Sequence, residues 1–241
     1  MLQSMIRAIY PPQCVCCGAL TLEEFALCGR CWSDTPFVAG LACDLCGVPL
    51  LGEERGRPEY CDTCLQHGRD WARGRAVGLY DGKLRELVLS FKHGDRTDLA
   101  RPLGLWMARA LPLLIGAEEA PVIIPVPLHP LRLWMRRYNQ AALLARRIGE
   151  ETGHPVLVDG LVRIRRTKPL KGADRAARAA AVAGAFAVHP RHRAAIAGRL
   201  VAVVDDVMTS GATLSVATRT LQDAGAAEVR VLVLARREKA P

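Results

Sequence analysis

Asp205 and Asp206 stand side by side directly after four apolar residues, and Thr209-Ser210-Gly211 follows within the same stretch, VAVVDDVMTSGAT. Like charges in sequence repel and resist burial, so a buried strand ending on two carboxylates needs a chemical reason. The turn supplies one. Val201 to Val204 forms the strand and TLSVATRTLQDAG the helix, so Thr209, Ser210 and Gly211 fall where a helix start presents unpaired amides and a positive dipole end. Their hydroxyls and amides can surround a phosphate monoester, with Gly211 letting the backbone approach closely. Thr213 is placed to cap the helix, to touch the phosphate, or both. The carboxylates lie one strand end earlier, within reach of two vicinal hydroxyls. Phosphate beside diol is the pattern of ribose 5-phosphate. An ordinary capped turn explains Gly211 and Thr213 but leaves both carboxylates without partners.

A second chemistry occupies the first seventy residues, which hold all nine cysteines. Eight form pairs at one spacing: Cys14 and Cys17, Cys28 and Cys31, Cys43 and Cys46, Cys61 and Cys64. Two thiolates separated by two residues supply half of a tetrahedral site, so four pairs make two structural zinc sites. Glycines follow in CVCCG and CDLCG and free the local backbone for a metal knuckle. Disulfides and redox catalysis are disfavoured by a reducing compartment and by the even repetition of the pairs. The spacing permits sequential or interleaved pairing, and two sequential ribbons are expected. Cys16 is left over.

The elements that must position these residues change character after residue 70. AVGLY (76–80), Val122 to Val126, PVLVDGLV, RLVAVVDDV and EVRVLVLA read as strands. LRELVLSFKHG, residues 99–115, residues 138–150 and TLSVATRTLQDAG read as helices, with Pro102 tolerable in a first turn. Near-continuous apolar strands alternating with helices predict a mostly parallel sheet covered on both faces, where ligands bind beyond the C-terminal strand ends. The expected organisation is a zinc-ribbon domain over 1–70 and an α/β domain over 71–241. Charge divides at the same place. Residues 1–70 carry five basic and nine acidic residues, and the remainder carries 28 and 15, a field that suits phosphate-bearing partners. No stretch is apolar enough to span a bilayer, and the start is too weakly apolar for a secretory signal, so a cytoplasmic protein is expected.

Taken together these stretches resemble the competence protein F (ComF) family, whose pattern runs along almost the whole chain. The paired cysteines, YDGKLRELVLSFKHG (80–94), IIPVPLHPLR (123–132), RRYNQAALLA (136–145), AGAFAV (183–188) and the signature at 201–213 follow in the family's order. The signature itself resembles the phosphoribosyl pyrophosphate (PRPP) motif of type I phosphoribosyltransferases. The resemblance implies a type I phosphoribosyltransferase-like sheet with an N-terminal double zinc ribbon. Asp205 and Asp206 would hold the ribose hydroxyls, and Val207, Met208, Thr209, Ser210, Gly211, Ala212 and Thr213 the 5-phosphate. Pro127, Leu128 and His129 would lie near the pyrophosphate, and Mg2+ would arrive with PRPP. The family is associated with natural competence, where single-stranded DNA is taken up, and with the use of DNA as a nutrient. Two departures stand out. Arg137 precedes Tyr138 where the family has glycine, and Leu170 and Ala181 occupy places where its members commonly carry Gln and Asn.

RIRRTKPLKGADRAAR (163–178) holds seven basic residues and one acid. Arg163, Arg165, Arg166, Lys168 and Lys171 are candidates for contacting pyrophosphate or a nucleic-acid backbone, against the plain reading of a solvated loop. Tyr80, Phe91, Trp134 and Tyr138 are the aromatics available for stacking on bases. No Ser-His-Asp or metal-hydrolase constellation is present. Two alternative functions follow: an Mg-dependent phosphoribosyltransferase of unknown acceptor, or a non-catalytic component of the uptake machinery. The second would contact single-stranded DNA and a partner ATPase, with PRPP as regulator or relic.

Overall fold

The computed structural model describes residues 10–54, 56–116, 120–128, 133–134, 137–165 and 184–238. Two short helices, α1 (Gly29–Ser33) and α2 (Asp62–His67), each begin just after a cysteine of the N-terminal region. The larger part follows as β1 (Arg73–Leu79), α3 (Gly82–His93), α4 (Ala100–Leu114), β2 (Val122–Pro125) and α5 (Gln140–Thr152). Then come β3 (Leu161–Arg163), β4 (Phe186–Val188), α6 (Arg193–Ile196), β5 (Leu200–Met208), α7 (Ala212–Asp223) and β6 (Glu228–Arg236).

The main sheet has the order β1-β6-β5-β2 with every pair parallel, which agrees with the apolar strands. Of PVLVDGLV, Val156 bridges in parallel to Ile123 of β2 as expected, whereas Leu161–Arg163 pairs antiparallel with β4 as a separate two-stranded sheet, Leu161 opposite Val188. Helix boundaries follow local chemistry. Asp81 accepts from the Gly82 amide at the start of α3, and Asn139 accepts from the Ala141 amide at the start of α5. Pro102 lies in the first turn of α4 as expected, and a second proline, Pro112, sits in its last turn.

Strand β5 shows how the layers form. Val201 and Val203 face one core, shared with α7, the β3–β4 pair and the buried cysteines Cys43, Cys46 and Cys64. Ala202 and Val204 face the other, filled by α3, α4 and α5. The second cysteine-rich turn is thus part of the main hydrophobic core. Backbone bonds seal the N-terminal region to the sheet: Gly74 N donates to Asp44 O at 2.7 Å and Val38 N to Val77 O at 2.9 Å. Gly47 lies so close to β1 that a Cβ there would stand 2.4 Å from Ala76 N, which explains glycine at that place. The Asp44 carboxylate takes Arg75 Nη2 at 2.7 Å and the Glu59 amide at 2.9 Å.

Candidate functional site

The eight paired cysteines gather into two groups, Cys14/Cys17/Cys28/Cys31 and Cys43/Cys46/Cys61/Cys64, with the sulfurs of each group within 4.8 Å of one another. Pairing is therefore sequential. Cys17 and Cys28 Sγ are 3.6 Å apart, and Cys46 and Cys61 Sγ 3.7 Å. A tetrahedron with Zn–S of about 2.3 Å has edges of about 3.8 Å, so both groups fit zinc closely. With four thiolates each the sites are closed and structural. Gly18 and Gly47, at φ 75° and 69°, close the turns by donating to the carbonyls of Cys14 and Cys43. The next amide, that of Val48, reaches a sulfur, Cys46. The groups differ in depth: Cys43 and Cys46 are fully buried, whereas Cys17 is exposed. Cys16, half-buried, belongs to neither group.

At the C-terminal end of β5 the two aspartates meet different surroundings. Asp206 meets Lys92 Nζ from α3 at 3.0 Å, and both side chains are largely buried. Asp205 Oδ1 accepts from the Asp206 amide at 2.9 Å. Its pKa is pushed up to about 7, first by burial and then by the Asp206 charge, against the opposing charges of Lys92 and Arg163. An ordinary turn leaves both carboxylates without partners, but here Lys92 answers one of them. Replacing Lys92 with Met should strand a buried charge and cost about 3 kcal/mol of stability in urea unfolding. Adding Asp206→Asn should recover most of that loss; additive effects of the two changes would refute the pairing.

Beyond β5 the chain turns sharply. Gly211 adopts φ 83°, and helix α7 begins at Ala212. Ser210 Oγ accepts from the Ala212 amide at 3.4 Å, so Thr213 is not the helix cap that its position suggests. It lies inside the first turn because the glycine bend starts the helix two residues earlier. Among the described residues the amides of Ser210, Gly211 and Thr213 donate to nothing, which leaves them directed at a helix start that favours an anion. The far wall of the loop is formed by arginines that no sequence motif marks. Arg236 Nη1 donates to Met208 O at 3.1 Å and Thr209 O at 2.5 Å, and Arg69 Nη1 to Ser210 O at 2.8 Å. A Cβ on Gly211 would stand 2.9 Å from both Arg69 Nη1 and the Trp71 ring.

Pro127 and Leu128 follow β2, the neighbour of β5, so they flank the aspartates across the sheet end. Val126 N donates to Val204 O at 2.9 Å, and Asn139 Nδ2 ties Val126 O to the start of α5 at 3.1 Å. His129 lies outside the described residues, as do Arg166, Lys168, Lys171, Leu170 and Ala181. Arg163 stacks its guanidinium 5.5 Å from the Phe186 ring centre, and its charge is felt at Asp205. Arg165 is exposed. Of the aromatics expected to stack on bases, Phe91 is instead fully buried core; the apolar spacing of α3 turns it inward. Tyr138 donates to Phe91 O, and Trp134 is exposed. Arg137 holds φ 64°, the left-handed region natural to glycine, at a cost of about 1 kcal/mol.

The double zinc ribbon domain family matches residues 5–65 and the phosphoribosyl transferase domain family residues 142–241. The chain is 29% identical to competence protein F of Haemophilus influenzae over 222 residues, 89% of this chain and 86% of that one. It is 28% identical to DNA utilization protein YhgH of Salmonella typhi over 92% of this chain and 95% of that one. A solved allosteric regulatory enzyme of purine biosynthesis aligns with 61% of this chain and 30% of its own length, at 23% identity and a TM-score of 0.41.

Proposed function

Since the chain belongs to the competence protein F family, a double zinc ribbon joined to a phosphoribosyltransferase-like domain, we propose that it binds PRPP at the end of β5 in the service of DNA uptake or DNA utilization. The observation that carries this is the conjunction of an adjacent carboxylate pair with a helix-start loop whose amides are unbonded. Asp205 and Asp206 stand at one end of the path, and the amides of Ser210, Gly211 and Thr213 lie free at the other. The carboxylates accept hydrogen bonds from the two ribose hydroxyls. The loop amides and the α7 dipole hold the 5-phosphate, and Pro127 and Leu128 border the pyrophosphate. Mg2+ bound to PRPP would neutralise charge on the pyrophosphate, with Asp205 and Asp206 the nearby oxygen donors. No described helix is long and apolar enough to cross a membrane. Cysteine pairs arranged as zinc ligands suit a reducing compartment, so we place the protein in the cytoplasm.

Calorimetric titration with PRPP and Mg2+ tests the site. The intact chain should bind, and Asp205→Ala combined with Asp206→Ala should weaken binding by about a hundredfold or more, the loss of two charge-assisted hydrogen bonds. Unchanged affinity would refute the assignment. If the bound sugar is transferred, its C1–O bond breaks, pyrophosphate departs and an acceptor bonds to C1, with the loop and carboxylates holding the ribose still.

A second reading rests on charge. Residues 71–241 carry 28 basic against 15 acidic residues, enough for a single-stranded DNA surface that docks a partner ATPase through the ribbons. Pyrophosphate release with bases, amines and DNA oligonucleotides separates the two: turnover with any acceptor favours transfer. Binding of DNA without release favours the uptake component.

A further inference from the structure

Three successive carbonyls of the phosphate loop are pulled to one side. Those of Met208 and Thr209 accept from Arg236, and that of Ser210 accepts from Arg69. In a trans peptide the N–H points opposite the C=O, so this grip turns the amides of Thr209, Ser210 and Gly211 toward the other side. That is the side on which an anion would be held. The loop is thus oriented from behind, by side chains that need not touch the ligand.

What holds Arg69 is the second cysteine group. Its Nε donates to Cys64 Sγ at 3.4 Å, and its guanidinium lies 5.4 Å from the Trp71 ring centre. Trp71 is buried and donates Nε1 to Leu45 O at 2.6 Å, inside the Cys43–Cys46 turn. Gly211 rests on this Arg69 and Trp71 pair with no room for a side chain. A zinc ion held by four thiolates carries a formal charge of about −2, which a guanidinium donor partly offsets. The first group faces elsewhere. Its neighbour Asp34 accepts from Lys83 N at the start of α3, away from the loop.

We propose that Arg69 is a positioning residue for the phosphate loop, seated on the Cys64 thiolate of the second zinc site, so that ligand binding at the loop and the state of that site are coupled. Arg236 shares the grip on the loop and its charge is felt at Cys46, whereas Arg69 bonds directly to a sulfur of the site. The inference rests on the PRPP reading above. Coupling between two sites is reciprocal, so each must sense the other.

The test uses the full chain with cadmium-113 replacing zinc, the two resonances being assigned through their couplings to cysteine β-protons. Saturating PRPP with Mg2+ should shift the resonance of the Cys43/Cys46/Cys61/Cys64 site and leave the Cys14/Cys17/Cys28/Cys31 site unmoved. In Arg69→Ala the shift should vanish, and PRPP affinity by calorimetry should fall about tenfold or more, the loss of a charged hydrogen bond that orients the loop. A purely structural Arg69 would lower thermal stability without making the distant metal respond to ligand in the intact chain. If the unmodified chain binds PRPP and neither resonance moves, or if Arg69→Ala keeps both affinity and shift, this inference is wrong while the PRPP site stands. Absence of binding by the unmodified chain would overturn both.

Discussion

Asp205→Asn should lower PRPP affinity by roughly ten- to a hundredfold while making the unliganded protein more stable above neutral pH. The two effects have one origin. Burial and the Asp206 charge raise the Asp205 carboxyl from 3.8 to about 7, so the folded chain holds a proton that the unfolded chain has already released. Its contribution to folding is therefore most favourable below pH 3.8. The contribution is lost as pH rises toward 7, and above that the ionised group carries a constant penalty on the order of 4 kcal/mol. Asparagine removes the penalty, so the difference in melting temperature between variant and parent should open between about pH 4 and 7 and stay level beyond. Binding runs the other way. A ribose diol is held best by an ionised acceptor, so the parent should gain affinity between about pH 6 and 8 by more than the variant does. The variant serves as the control for ionisation of the ligand's own phosphates. Parallel affinity profiles in parent and variant would remove Asp205 from the diol site.

Removal of zinc from the second group should disrupt far more of the molecule than removal from the first. Structural zinc contributes about 10–16 kcal/mol in small ribbon-like peptides, so either site matters locally. The consequences differ because Cys43, Cys46 and Cys64 sit in the core shared with β5, β6 and α7, while Cys17 is exposed. Cys46→Ala should lower the melting temperature by more than about 10 °C, given roughly 2–4 °C per kcal/mol for a chain of this size. It should also halve the zinc content. Cys17→Ala should halve the zinc content with a clearly smaller shift. Thermal unfolding followed alongside metal analysis checks both, and equal shifts would mean that the two ribbons contribute alike.

The parts of the site that are legible in the sequence are those whose chemistry lies within a few residues. Asp205 to Thr213 is one strand end and one helix start. Each cysteine pair is one turn, and the apolar runs of β5 and β6 announce themselves by composition. Lys92 lies in the FKHG portion of a stretch that carries the family pattern, yet nothing local says that its ammonium crosses to Asp206. Phe91, beside it, belongs to the core and not to a stacking surface, as the spacing of α3 already directs. Thr213 resembles a cap in the sequence because the glycine bend that starts α7 early is a matter of φ at Gly211, which a sequence pattern locates only to within a residue or two.

Arg69 and Arg236 belong to a different category. Arg69 is separated from Ser210 by 141 positions and Arg236 from Met208 by 28, and neither sits in a periodic or motif context that marks it. Their roles arise from the sheet order β1-β6-β5-β2, which sets β6 beside β5 and brings the second cysteine turn, sealed to β1, up against the phosphate loop. Hydrophobic periodicity and ligand spacing are short-range signals, written wherever neighbours in sequence share one task. The contact of a guanidinium with a carbonyl and a thiolate depends on which distant segments pack together, and that is settled by burial of the whole core. VAVVDDVMTSGAT therefore declares a carboxylate pair beside a helix start, and the packing of a zinc ribbon behind it determines which way the loop's amides face.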